Sequence, residues 1–111
     1  MPDDPPDRWP LAELVAAQRR RQCLSLAEVA RRLRRAAVAE GSHGGATRQW
    51  VSELERKGRI PRPDALRWLA VALELPVEEV ATAAEQQRAT RQHARWLAVA
   101  ERLGRVLDQA G

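Results

Sequence analysis

The stretch TRQWVSELERKG, Thr47–Gly58, decides how this chain is read. At helical spacing Val51 and Leu54 make a short apolar edge. Arg48, Gln49, Ser52 and Glu53 make a polar face of side-chain types that can hydrogen-bond bases. Thr47 can cap the start of such a helix, and Gly58 can end it. Alone, the segment has two readings: an ordinary solvated face, or a face that reads a partner. What flanks it separates the two.

Upstream, LSLAEVARRL, Leu24–Leu33, carries the strongest helix start in the chain. Ser25 and Glu28 fit the S-x-x-E capping box, and Leu24 and Val29 are placed as its hydrophobic staple. The helix that begins at Leu26 turns Val29, Ala30 and Leu33 inward and runs through RRAAVAE until Gly41. The GSHGG cluster then breaks it. Before it, Pro10 opens a helix with Leu11, Leu14, Val15 and Gln18 on one side, ending near Gln22. Trp9 is expected to close over that helix. Downstream of Gly58, Pro61 and Pro63 form a stiff connector to a fourth helix with Leu66, Leu69, Ala70 and Leu73 inward. A fifth starts near Pro76. From Glu85 onward His93, Trp96, Ala100, Leu103, Leu107 and Ala110 alternate at spacings of three and four, a heptad seam. This seam packs on the chain's own helices or on the same helix of a second subunit. Trp68 and Trp96 read as packing residues.

Composition agrees with helix. The chain has 111 residues and 44% hydrophobic content, enough for one core, with no Tyr or Phe and few β-branched residues. The expected class is all-α, in three parts: a flexible arm over residues 1–8, one domain over 9–84, and a C-terminal helix over 85–111. The arm follows from MPDDPPDRWP, whose prolines and aspartates cannot continue a helix or bury a core. It has no apolar run, so neither a signal peptide nor a membrane anchor is expected.

Net charge is +4, unevenly placed. Arg8 to Arg62 holds 13 Lys or Arg against 5 Asp or Glu, whereas Pro63 to Gly111 holds 6 against 7. Any one run, Arg19 to Arg21 for example, is by itself a solvated helix face. Their concentration in one half points to a polyanion-binding unit joined to a segment that packs on protein. Cys23, the only cysteine, excludes an intrachain disulfide and fits a reducing cytoplasm. His43, His93 and Cys23 lack metal-ligand spacing, and His43 sits in a glycine-rich turn where exposure is expected. No Gly-rich phosphate loop or paired-carboxylate arrangement stands out, so no enzyme, cofactor or metal is expected.

The order capped helix, turn, polar helix, glycine, proline, apolar helix resembles the Cro and xenobiotic-response-element (XRE) type of helix-turn-helix regulator over roughly residues 9 to 84. The resemblance lies in Ser25, Ala27, Glu28 and Ala30, in VSELE (Val51–Glu55), in Pro61 and in LRWLAVALEL. It implies a five-helix, lambda-repressor-like DNA-binding domain, here with a C-terminal helical extension. Two departures stand out. Ala30 precedes Val51 by 21 positions, where the family has about ten, so the turn between helices 2 and 3 is expanded. Leu26 stands where many relatives carry a phosphate-bonding glutamine.

The resemblance implies that helix 47–58 enters the major groove of double-stranded DNA, with Arg48 and Gln49 as first base readers and Ser52 and Glu53 about a turn further on. Ser25, Thr47, Arg56, Lys57, Arg59 and Arg62 are then phosphate contacts. Glu55, unfavourable at a helix C-terminus, is expected to pair with Arg31 or Arg32. Trp50 is expected to cover apolar surface at Ala37 or Val38. The implied function is a repressor-like, cytoplasmic, nucleoid-associated transcription regulator. It acts as a homodimer through His93, Trp96, Ala100, Leu103 and Leu107, without membrane or metal. The rival reading is a protein-interaction adaptor of the same fold that does not bind DNA.

Overall fold

Local signals set where each helix starts and stops. The computed structural model describes residues 9–43 and 45–110, so the arm expected over residues 1–8 lies outside the described residues. Five helices follow in chain order: α1 Pro10–Arg21, α2 Leu26–Ala39, α3 Arg48–Lys57, α4 Pro63–Leu73 and α5 Val77–Ala110. Among the described residues there is no strand. Proline occupies the first turn of α1 and of α4, where its missing N–H costs nothing. Ser25 Oγ accepts the Glu28 N–H at 3.1 Å and Thr47 Oγ1 accepts the Trp50 N–H at 3.1 Å, so both expected caps form. Leu24, half-buried, packs against the core beside the fully buried Val29, as a staple requires.

The apolar stripes converge on one core. Leu11 and Val15 of α1, Val29 and Leu33 of α2, Val51 and Leu54 of α3, Leu69 and Leu73 of α4, and Val80 of α5 are all fully buried. Truncating any of these leucines to alanine removes transfer free energy and leaves a cavity, at about 2–5 kcal/mol each. The central helix α3 therefore has little freedom to rotate. Turning Val51 and Leu54 away from the core would turn Arg48 and Gln49 into it.

Helix α5 has two halves of different character. Val80, Ala83, Ala84 and Gln87 are buried against the other helices. From Gln92 to Gln109 every residue is exposed, although the helix is continuous over its 34 residues, about 51 Å. Trp96 thus does not pack within its own chain: it is 61% exposed.

A buried amide joins the elements. Gln87 Oε1 accepts the N–H groups of Leu11 and Ala12 at 2.8 and 3.1 Å, satisfying donors that the first turn of α1 would otherwise leave free. Its Nε2 donates to the Gly58 carbonyl at 2.8 Å. Gly58 closes α3 in the left-handed conformation at φ 66°. A Cβ there would sit 2.6 Å from the Trp9 ring. Trp9 therefore closes on the end of α3, and Arg91 of α5 lies over its ring, 5.8 Å from the centroid.

Candidate nucleic-acid interface

The outward face of α3 is built by the same geometry that buries Val51 and Leu54. Arg48, Ser52 and Arg56 lie four residues apart on one stripe, with Gln49 beside them. Together with Leu26 from the first turn of α2 they line a shallow surface groove. Arg48, Gln49 and Arg56 are exposed and Ser52 half-exposed. Of the expected base-facing set, Glu53 has a different setting. It accepts from Arg59 at 2.9 Å and from the Gln49 amide at 3.4 Å. Arg59, expected on phosphate, thus spends one N–H on neutralising a carboxylate that would repel a polyanion.

The remaining expected phosphate contacts are exposed: Arg56, Lys57 and Arg62 just beyond or within the end of α3, and Ser25 and Thr47 at helix starts. Both hydroxyl oxygens already accept a cap bond, which leaves their O–H protons to donate. Among the described residues Arg48, Arg56, Lys57 and Arg62 make no ion pair within the chain.

The ion pair of Glu55 differs from expectation. Arg19 of α1, not Arg31 or Arg32, meets it in a bidentate contact at 2.7 and 3.0 Å, and this hydrogen bond raises the Arg19 pKa. Arg31 and Arg32 follow Glu28 by three and four residues on their own helix and are drawn to it instead. Those bonds, that from Arg31 first, hold the Glu28 carboxyl below its ordinary range. Arg32 also donates to the Ala72 carbonyl at 3.2 Å, tying α2 to α4.

The expanded turn is braced at both ends. Helix α2 runs to Ala39, and Gly41 at φ 79° lets the chain reverse so that the Ser42 N–H reaches the Ala37 carbonyl at 2.9 Å. Glu40 accepts from Arg67 at 2.9 Å and from the Trp68 indole at 3.0 Å, both on α4. At the far end, Arg34 donates to the Ala46 carbonyl at 2.7 Å, one residue before the cap of α3. Beneath this turn lies a cleft of about 510 Å³ lined by Leu33, Ala46, Trp50, Ile60, Pro61 and Trp68 among others. Trp50 faces that cleft. Ala37 is buried, but Val38 is 64% exposed and not covered by Trp50, because the next position along α2 turns about 100° away from the core.

Sequence reasoning missed Gln87, Arg19 and Arg34. Gln87 had a visible signal: it follows Val80, Ala83 and Ala84 at helical spacing, a polar residue on an apolar stripe. Arg19 and Arg34 had none, since both sit in runs that read as solvated. The expected dimer residues His93, Trp96, Ala100, Leu103 and Leu107 share the exposed half of α5. Among the described residues no group of three His, Cys, Asp or Glu is placed to hold a metal ion, and no helix is long and apolar enough to cross a membrane. The chain matches no family model, no curated protein and no solved structure.

Proposed function

We propose that this protein is a sequence-specific, repressor-like DNA-binding regulator of the helix-turn-helix type. It reads the major groove with α3 and acts as a homodimer joined through the exposed half of α5. The observation that carries the reading is the charge state of the α3 surface. Arg48, Arg56, Lys57 and Arg62 present cations with no ionic partner among the described residues, around the hydrogen-bonding side chains of Gln49 and Ser52. Arg59 beside α3 and Arg19, Arg31, Arg32, Arg67 and Arg88 elsewhere hold carboxylates instead. Leaving four cations unpaired beside a rigid helix fits a polyanion as the missing partner.

Arg48 can pair with guanine O6 and N7, and Gln49, once released from Glu53, with adenine N6 and N7. Arg56, Lys57 and Arg62 set affinity through phosphate. The α2 start adds free N–H groups at its positive end. Two copies related by a twofold axis would place their α3 helices about 34 Å apart on a near-palindromic site.

Selection from random duplexes tests this. Enrichment of a common, roughly palindromic sequence, with binding that weakens steeply as salt rises, is the expected result. Failure to enrich any sequence, with the dimer intact, would leave the adaptor reading in its place.

A further inference from the structure

The cleft beneath the expanded turn stays open although apolar side chains line it. Among its lining residues Leu33 and Pro61 are buried, and Trp50, Ile60 and Trp68 are half-buried. Val38 at the end of α2 is exposed instead of filling it. The turn is tied at one end by Glu40 to α4 and at the other by Arg34 to Ala46, so the space is held rather than collapsed. Its volume of about 510 Å³ is that of a small-molecule site.

The charged groups of the cleft have one sign. Arg59 and Arg62 line it, and among its described lining residues there is no carboxylate. The carboxylates next to it are already paired, Glu40 and Asp64 with Arg67 and Glu53 with Arg59. The Arg62 guanidinium has no ionic or hydrogen-bonding partner among the described residues. Arg62 also stands at the N-cap of α4 without a side-chain cap bond, so the positive end of that helix adds to the field. Two indoles offer flat faces for a ring, and a guanidinium offers a fork for a carboxylate. Glu40 takes the Trp68 indole N–H, whereas that of Trp50 has no partner among the described residues.

We infer that this cleft binds a small planar aromatic carboxylate, and that the bound anion weakens DNA binding. The second half rests on the DNA-binding reading above, and the first does not. Arg59 connects the two: it lines the cleft and donates to Glu53, which accepts from Gln49 on the α3 surface. A carboxylate in the cleft competes with Glu53 for Arg59 and holds Arg62 away from phosphate. Glu53, no longer neutralised, then repels the DNA backbone.

Benzoate, indole-3-carboxylate and 2-naphthoate serve as probes, with their primary amides as uncharged controls. In proton–nitrogen correlation spectra of the full chain, at least one acid shifts the indole signals of Trp50 and Trp68 saturably. Trp50→Phe and Trp68→Phe assign those signals. The signal of Trp96, on the exposed half of α5, stays in place. The matching amide, or the acid with Arg62→Ala, binds about tenfold more weakly, the worth of one charge-assisted bond. No saturable shift with any of the acids, an equal shift at Trp96, or equal affinity for acid and amide overturns the site. Saturating acid also lowers affinity for a selected duplex about tenfold, and Glu53→Gln shrinks that loss. Acid bound in the cleft with DNA affinity unchanged overturns the coupling and leaves the site standing. If no duplex is ever selected, the coupling falls with the DNA-binding reading, while the indole shifts still decide the site.

Discussion

Gln87 holds three elements together with one amide, and its chemistry leaves no substitute. The carbonyl end accepts two N–H groups of α1 and the amide end donates to Gly58 at the close of α3. Leucine at this position would strand those buried groups and cost about 2–4 kcal/mol. Glutamate would put an acceptor against the Gly58 carbonyl, so it does not rescue. Chemical denaturation of Gln87→Leu and Gln87→Glu checks this, and wild-type stability in either variant would contradict it. Gly58 is constrained twice, by its φ of 66° and by the Trp9 ring 2.6 Å from any added Cβ. Gly58→Ala is expected to destabilise by about 1–2 kcal/mol for the backbone alone, with the steric part in addition. In a Trp9→Ala background only the backbone part should remain, which a double-mutant cycle measures.

At the scale of elements, the helix starts were legible in sequence because capping is local: Ser25, Leu24 and Val29, and Thr47 before α3, act within a few residues. The contacts between helices were not. Gln87 meets Leu11 76 residues away and Arg19 meets Glu55 36 residues away, and no periodicity encodes such pairings. The expansion between α2 and α3 was readable as a length, but its bracing by Glu40 and Arg34 was not, because both looked like solvated polar residues. Hydrogen bonds from Arg67 and then Trp68 hold the Glu40 carboxyl below its ordinary value of 4.5. A carboxylate with a lowered folded pKa stabilises the fold above its unfolded value, and that contribution disappears as pH falls through the folded value. Wild type should therefore melt higher than Glu40→Gln at neutral pH, and the difference should vanish in strong acid. A difference that persisted there would mean that the brace is not electrostatic.

On the scale of the whole molecule, charge and apolar surface are divided between two regions. Among the described residues, cations without an ion pair surround α3, and exposed apolar residues line the far half of α5. The heptad pattern was visible in sequence, but the same pattern serves a helix packed on its own domain or on another copy; in the fold its residues from Gln92 to Gln109 are exposed. Because the core ends at Gln87 and Arg91, a chain ending after Gln92 should keep its domain folded and become monomeric. Circular dichroism with light scattering checks this, and loss of the fold would mean that the extension belongs to the core. Whether α3 reads DNA is measured by fluorescence anisotropy on a selected duplex and on a scrambled one, at one salt concentration. For Arg48→Ala with Gln49→Ala, preference for the selected duplex is expected to fall by about ten- to a hundredfold, with scrambled-duplex binding much less changed. An unaltered preference would contradict it.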